Sequence, residues 1–199
     1  MLKTTKHLLA ISIMAISTNA MSKDISYDYV QGTYSSLTDS SLGVDIDADG
    51  FAVSGSFSVS PNIAVTALLG STSFDRTAGV DIDTNEFDFG ITAHTSVAPG
   101  TDIFGNFSIV NGEVEASYGF TTISDDDTGN SITVGLRHMP SESVELSAAF
   151  TRVDIFDDTG NTTGFGVRFY ANEKISFGVG YSTGDDVDAL ILGARIDIK

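Results

Sequence analysis

The residues with most chemical promise in this 199-residue sequence are acids. Asp45-Ile46-Asp47-Ala48-Asp49-Gly50 sets three carboxylates on alternate positions ahead of a glycine, which is how a calcium-binding EF-hand loop begins. That loop also requires a bidentate acid at its twelfth position, and the residue there is Ser56, inside a strand-like pattern with no helix on either side. An EF-hand is therefore excluded. Asp45, Asp47 and Asp49 remain as weak candidate oxygen ligands for Ca2+ or Mg2+, or as a hydrated acidic surface. No other cofactor is indicated. The absence of cysteine removes disulfides, thiolate metal sites and thiol nucleophiles. Past residue 20 the histidines are His94 and His138, there is no H-E-x-x-H, and no nucleophile–base pair emerges from the pattern. No catalytic residue is assigned, and no enzyme is expected.

The elements that would position these side chains are strands. Residues 1–20 stand apart: Lys3 and Lys6 precede a short apolar run over residues 8–16, and Thr18-Asn19-Ala20 supplies small residues for cleavage. This is the pattern of an export signal, too short for a spanning helix. The chain carries 10 basic and 27 acidic residues. Removing the leader leaves eight basic residues against 27 acidic, a net charge of −19, which argues against nucleic acid as a partner. The remaining residues, 21–199, form a single domain with no helical periodicity. Residues 50–59 alternate strictly, with Phe51, Val53, Phe57 and Val59 opposite Ala52, Ser54, Ser56 and Ser58. Pro61-Asn62 turns the chain, and Ile63, Val65, Ala67 and Leu69 return.

The same unit recurs until ten strands are counted. The first spans residues 25–36, with Tyr27 and Tyr29 on one face and an irregularity near Val30-Gln31-Gly32 that resembles a bulge. The fifth loses its pattern at Asn111-Gly112. Tight turns are expected at Pro61, Pro99, Pro140 and Asn172, and Asp-rich loops opposite them, including residues 37–48. An even number of strands, short turns on one rim and acidic loops on the other describe an antiparallel up-and-down transmembrane β-barrel. The non-oily face is Gly, Ser, Thr and Ala with a few charges, too poor in Lys and Glu for the outside of a soluble barrel. Tyr27, Tyr29, Phe74, Phe156, Phe169, Tyr170 and Tyr181 sit near strand ends and suit interfacial girdles.

The motifs Ser26-Tyr27-Asp28-Tyr29-Val30, the acidic run ending at Gly50, and Gly135-Leu136-Arg137-His138 resemble those of the small OmpA/OmpX-like outer-membrane β-barrel family of Gram-negative bacteria, in a ten-stranded subgroup. The resemblance covers the whole chain after the leader. It implies the outer membrane as location, lipid and the insertion machinery as partners, and a monomer. Such barrels usually end in an aromatic residue, whereas this chain ends Ile198-Lys199. A barrel of this size has little lumen beyond its own side chains. The expected role is therefore structural or surface-interactive, with a plugged or narrow lumen. A narrow pore for small solutes and a soluble periplasmic β-barrel carrier are the alternatives.

The alternation also aims Arg137, Arg168 and Arg195 inward, each a few residues before a short turn or the C-terminus. They would share one level with Asp28 and Glu145 in a lumenal charge layer, Arg137 toward Glu145 and Arg195 toward Asp28, because unpaired buried charge is expensive. The acidic rim generates one expectation of its own. Millimolar Ca2+ or Mg2+ added to the folded protein at fixed ionic strength should raise its melting temperature, and an unchanged melting curve would count against any bound rim ion.

Overall fold

The computed structural model describes residues 26–40, 45–77, 79–185 and 187–198. The expected leader, Ile25, residues 41–44, Asp186 and Lys199 lie outside them. Ten strands follow in order: β1 (Tyr29–Asp39), β2 (Ile46–Ser60), β3 (Ile63–Thr77), β4 (Val80–Ala98), β5 (Thr101–Tyr118), β6 (Thr121–Ser141), β7 (Val144–Ile155), β8 (Asp158–Tyr170), β9 (Ile175–Gly184) and β10 (Val187–Asp197). Each pairs antiparallel with its neighbours in sequence, and β1 pairs with β10 to close the barrel.

The outward face is the one the alternation indicates. Phe51, Val53, Phe57, Leu69, Phe89, Ile91, Phe107, Ile132, Val134, Phe150, Phe165, Phe177, Leu192 and Ile196 all point away from the lumen, each at least 45% exposed. An exposed apolar belt around a closed barrel fits a hydrocarbon surround, where every backbone N–H and C=O must pair within the protein.

Three details differ from the sequence expectation. The first strand has no bulge: Tyr29 to Asp39 pair in unbroken register with both β10 and β2. The register shifts in β2, β4 and β6 fall beside the turns, at Ser58/Ser60, Ser96/Ala98 and His138/Ser141. The third short turn consequently sits at Glu142-Ser143, with Pro140 still in β6. The fifth strand does not end near Asn111 but runs without interruption to Tyr118.

The expected acidic loops are mostly strand. Asp47 and Asp49 lie in β2, Asp81 and Asp83 in β4, and Asp125, Asp126 and Asp127 in β6. Strands of 19, 18 and 21 residues in β4, β5 and β6 far exceed the ~9–11 that cross a bilayer. The connections on that rim shrink to pairs such as Gly119-Phe120 and Phe156-Asp157. Beyond the apolar belt the strands reverse their polarity. Outward positions become Asp, Ser and Thr joined across strands, as in Thr38 to Asp47 (3.0 Å) and Ser73 to Asp83 (2.6 Å). Inward positions become apolar: Leu37, Ala48, Phe74, Val187, Ala189 and Ile191 form one cluster, Val110, Val114, Val153, Ile155 and Phe156 another, and Ile82 touches both. Outside the membrane the solvent is water, so this end is built like a soluble barrel, with its oil inside.

Two backbone features shape this end. Phe156 and Asp157 both have positive φ (55° and 58°), the conformation of a two-residue hairpin turn matched to strand twist. Phe156 offsets its strain by burying its ring and donating its N–H to Asp127 (2.6 Å). At Gly129 a Cβ would stand 2.0 Å from the Asp154 carbonyl oxygen, so β6 and β7 approach closely just where their pairing ends. β6 then continues beyond β7 as the outer strand of a raised β4–β5–β6 sheet.

The depth of the belt sets the first mutational prediction. Val134→Arg, at an outward mid-belt position, should cost about 2–4 kcal/mol in urea unfolding from detergent micelles, and Asn130→Arg, outward but near the water, about 0–1 kcal/mol. Equal costs would mean that the belt does not lie in hydrocarbon.

Candidate functional site

The lumen near the chain termini is filled by charged and aromatic side chains. Arg137, Glu145 and Arg195 are almost fully buried, and Arg168, Asp28, Asp102, Asp197, Gln31, Tyr27 and Tyr29 nearly so. Arg137 Nε donates to Glu145 Oε1 at 3.3 Å, and its guanidinium lies 4.8 Å from the centre of the Tyr27 ring. Glu145 Oε2 also accepts the Tyr170 hydroxyl (3.1 Å). Arg195 lies over Tyr29, 3.7 Å from the ring centre, and pairs with Asp197 at 2.6 Å. Arg168 donates to Gln31 Oε1 (2.7 Å) and to the Ser176 hydroxyl (3.3 Å).

Several of these contacts span the lumen instead of running along the wall. Gln31 on β1 reaches Arg168 on β8, three strands away around the barrel. Tyr27, just ahead of β1, donates to Asp102 on β5 (3.3 Å) and stacks on His94 of β4 with ring centres 3.5 Å apart. Asp102 takes a second hydrogen bond from Ser96 (2.6 Å). Charge-assisted hydrogen bonds of this kind hold geometry well when desolvated.

Arg137, Arg168, Arg195 and Glu145 all lie in this layer, with Arg137 against Glu145. Asp28 is buried at the same end, where its Oδ1 accepts the Ser58 backbone N–H (2.6 Å), and Arg195 pairs with Asp197. Arg195 and Asp197 are two apart on one inward face of β10, and register sets Gln31 opposite Arg195. Sequence reasoning missed Gln31 and Asp102, which become partners only across the closed barrel, and Asp197, which pairs with Arg195 two residues away on the same strand. It also misplaced the aromatics. Tyr27, Tyr29, Phe74 and Phe156 are buried inside and Tyr170 is half-buried, leaving Phe169 and Tyr181 exposed at the surface.

The acidic motif is less convergent. Asp45, Asp47 and Asp49 project outward on alternate positions, each taking a hydroxyl from β1 or the residue after it: Ser40 (2.8 Å), Thr38 (3.0 Å) and Tyr34 (2.5 Å). Alternate strand residues stand roughly 6.5–7 Å apart, and among the described residues no group of three His, Cys, Asp or Glu converges on a metal position. Elsewhere on the rim the Thr159 hydroxyl and then the Arg152 guanidinium hold the Asp154 carboxyl below the usual carboxylate range.

One G-x-S-x-G spacing, that of a nucleophile elbow, is present at Gly180-Tyr181-Ser182-Thr183-Gly184. In the fold it is a straight stretch of β9 with Ser182 buried inward, lacking the strand-to-helix turn an elbow needs. His138, exposed on the outer face beside Thr101, is 3.0 Å from that hydroxyl.

A ten-stranded antiparallel barrel with an apolar belt and charged side chains buried in its lumen is an outer-membrane β-barrel protein. The chain matches the family described as outer membrane protein beta-barrel domain over residues 8–182. It belongs to that family, which places it in the Gram-negative outer membrane. No curated protein matches it in sequence. Three solved structures share its fold at low identity. Neisserial surface protein A is 11% identical with a TM-score of 0.51, over 87% of this chain and 98% of that one. The translocator domain of the autotransporter NalP from Neisseria meningitidis is 10% identical with a TM-score of 0.53, over 89% and 91%. The beta domain of the Bordetella autotransporter BrkA is 13% identical with a TM-score of 0.53, over 86% and 99%.

The pairing in the layer can be tested by its asymmetry. Glu145→Ala, leaving Arg137 buried without its carboxylate, should destabilise the folded barrel by about 3–5 kcal/mol, whereas the double change Arg137→Met with Glu145→Leu should recover most of that loss. A double variant as unstable as the single one would show that packing, not charge pairing, sets the cost.

Proposed function

We propose that this protein is a closed, non-conducting outer-membrane barrel acting at the cell surface through its stiff acidic rim, in envelope integrity or contact with other surfaces. The observation that carries this reading is the set of hydrogen bonds crossing the lumen, Tyr27 to Asp102 and Arg168 to Gln31. They join opposite walls and leave no straight aqueous path at the terminal end. The apolar clusters at the other end add a second obstruction. Strands that continue beyond the belt hold the acids on a rigid surface, with divalent cations screening them weakly.

The role is non-enzymatic. Both histidines beyond the leader lie at the terminal end, His94 stacked on Tyr27 and His138 beside Thr101, away from the external rim where a surface enzyme would meet its substrate. Cleavage after residue 20, delivery through the insertion machinery and a monomer embedded in lipid complete the reading.

Planar-bilayer recording tests it. The purified protein should show no steady single-channel conductance. Removing both lumen-crossing contacts, with Tyr27→Ala and Arg168→Ala together, should produce at most brief openings while the apolar end stays shut. Stable channels from the unmodified protein would favour the pore.

A further inference from the structure

Between the arginine layer and the apolar end lies a third compartment. A cavity of about 80 Å³ opens on the inner faces of β2 to β6 and is lined by Ser54, Asp88, Thr92, Asn106, Ser108 and Tyr29 among others. Asp88 and Ser54 are 5% and 7% exposed, and Asp88 Oδ1 and Ser54 Oγ have no hydrogen-bond partner. Glu86 stands two residues away on the same inward face, its carboxyl in contact with that of Asp88.

The wall around Asp88 is rich in oxygen atoms and holds no cationic side chain. Both N–H bonds of the Asn106 amide are committed, to Thr92 (2.9 Å) and Thr66 (3.2 Å), and its oxygen accepts from Ser108 (2.7 Å). No donor of Asn106 is left for Asp88. Gly90 makes this arrangement possible. A Cβ there would meet Ser108 Oγ at 2.4 Å and Thr66 Oγ1 at 3.0 Å, so only glycine lets both hydroxyls lie over β4. Among the described buried residues the lumen holds seven carboxylates and three guanidiniums, and the guanidinium contacts described above are all made in the arginine layer. A buried carboxylate with no cationic partner requires a counter-charge.

We propose that this chamber holds one hard cation, an alkali or alkaline-earth ion, against Asp88, with hydroxyl oxygens and a residual hydration shell completing its coordination. The space suits it, since about 80 Å³ of water-accessible volume exceeds the ~10–15 Å³ that one water needs, and the lining oxygens are the ligands hard cations prefer. The ion lies between the arginine layer and the apolar clusters and is taken up during folding. It is thereby distinct from anything bound at the rim, which exchanges freely with solvent.

The test is refolding from urea into detergent micelles in strontium, rubidium or N-methylglucamine chloride at one ionic strength. Chelation and gel filtration then strip surface ions before metal analysis and thermal unfolding. The expected result is one retained strontium or rubidium ion per chain and a melting temperature several degrees above that of the N-methylglucamine sample. The retaining salt identifies the class of ion. Asp88→Asn should abolish both effects and Asp47→Asn neither. Should Asp88→Asn fail to fold, anomalous scattering from crystals of the unmodified protein refolded in the same salts decides the matter: a peak within coordination distance of Asp88 supports the site. A peak only at the rim, or none, overturns it. Retention by Asp88→Asn equal to that of the parent overturns it too, as does stability that responds to pH but to none of the cations, which would make the counter-charge a proton.

Discussion

In the hydrocarbon of a bilayer no water is present to satisfy a backbone N–H or C=O, and an unpaired group costs several kcal/mol. For a chain of strands this leaves closure as the available solution, and the pairing of β1 with β10 is where it is achieved. The other properties of the molecule follow from that seam. It fixes strand parity, turns alternate side chains outward, and encloses the others in the barrel.

The chain meets two solvents along its length, and its polarity follows them. Within the belt the outside is oil, so Phe, Val, Leu and Ile face out and Ser, Thr, Gly and charge face in. Beyond it the outside is water, and Leu37, Phe74, Val110 and Val153 turn in while Asp47, Asp49 and Asp83 turn out. A single run of strand thus carries both patterns. Continuing the strands also satisfies the backbone of the projecting hairpins by ladder pairing, which long loops would leave to solvent.

Confinement has an electrostatic consequence. Ten inward strands of small residues leave a lumen of low dielectric in which isolated charges are untenable. At the terminal end, three arginines share carboxylates, an amide oxygen and two tyrosine rings. In the middle, Asp88 and Glu86 sit among hydroxyls. The arrangement separates cationic from anionic zones along the barrel axis, with the apolar clusters above both.

Strand number, the lipid-facing sets of β2 to β10 and the inward direction of Arg137, Arg168 and Arg195 could be read from the sequence because side-chain alternation is a local property with period two, and lipid demands an unbroken oily stripe. The β1 face was ambiguous, since Tyr27 and Tyr29 suit an interface as well as a stack under a guanidinium; register with β10 and β2 turned them inward. The acidic segments looked like loops because outside the membrane the outward stripe is no longer apolar, and only the pairing of β4, β5 and β6 shows that the strands continue. The Arg137–Glu145 pair was legible because its members belong to one hairpin. Gln31 with Arg168, Tyr27 with Asp102, and the chamber around Asp88 were not. Their members come from strands distant in sequence, and only barrel closure brings them face to face.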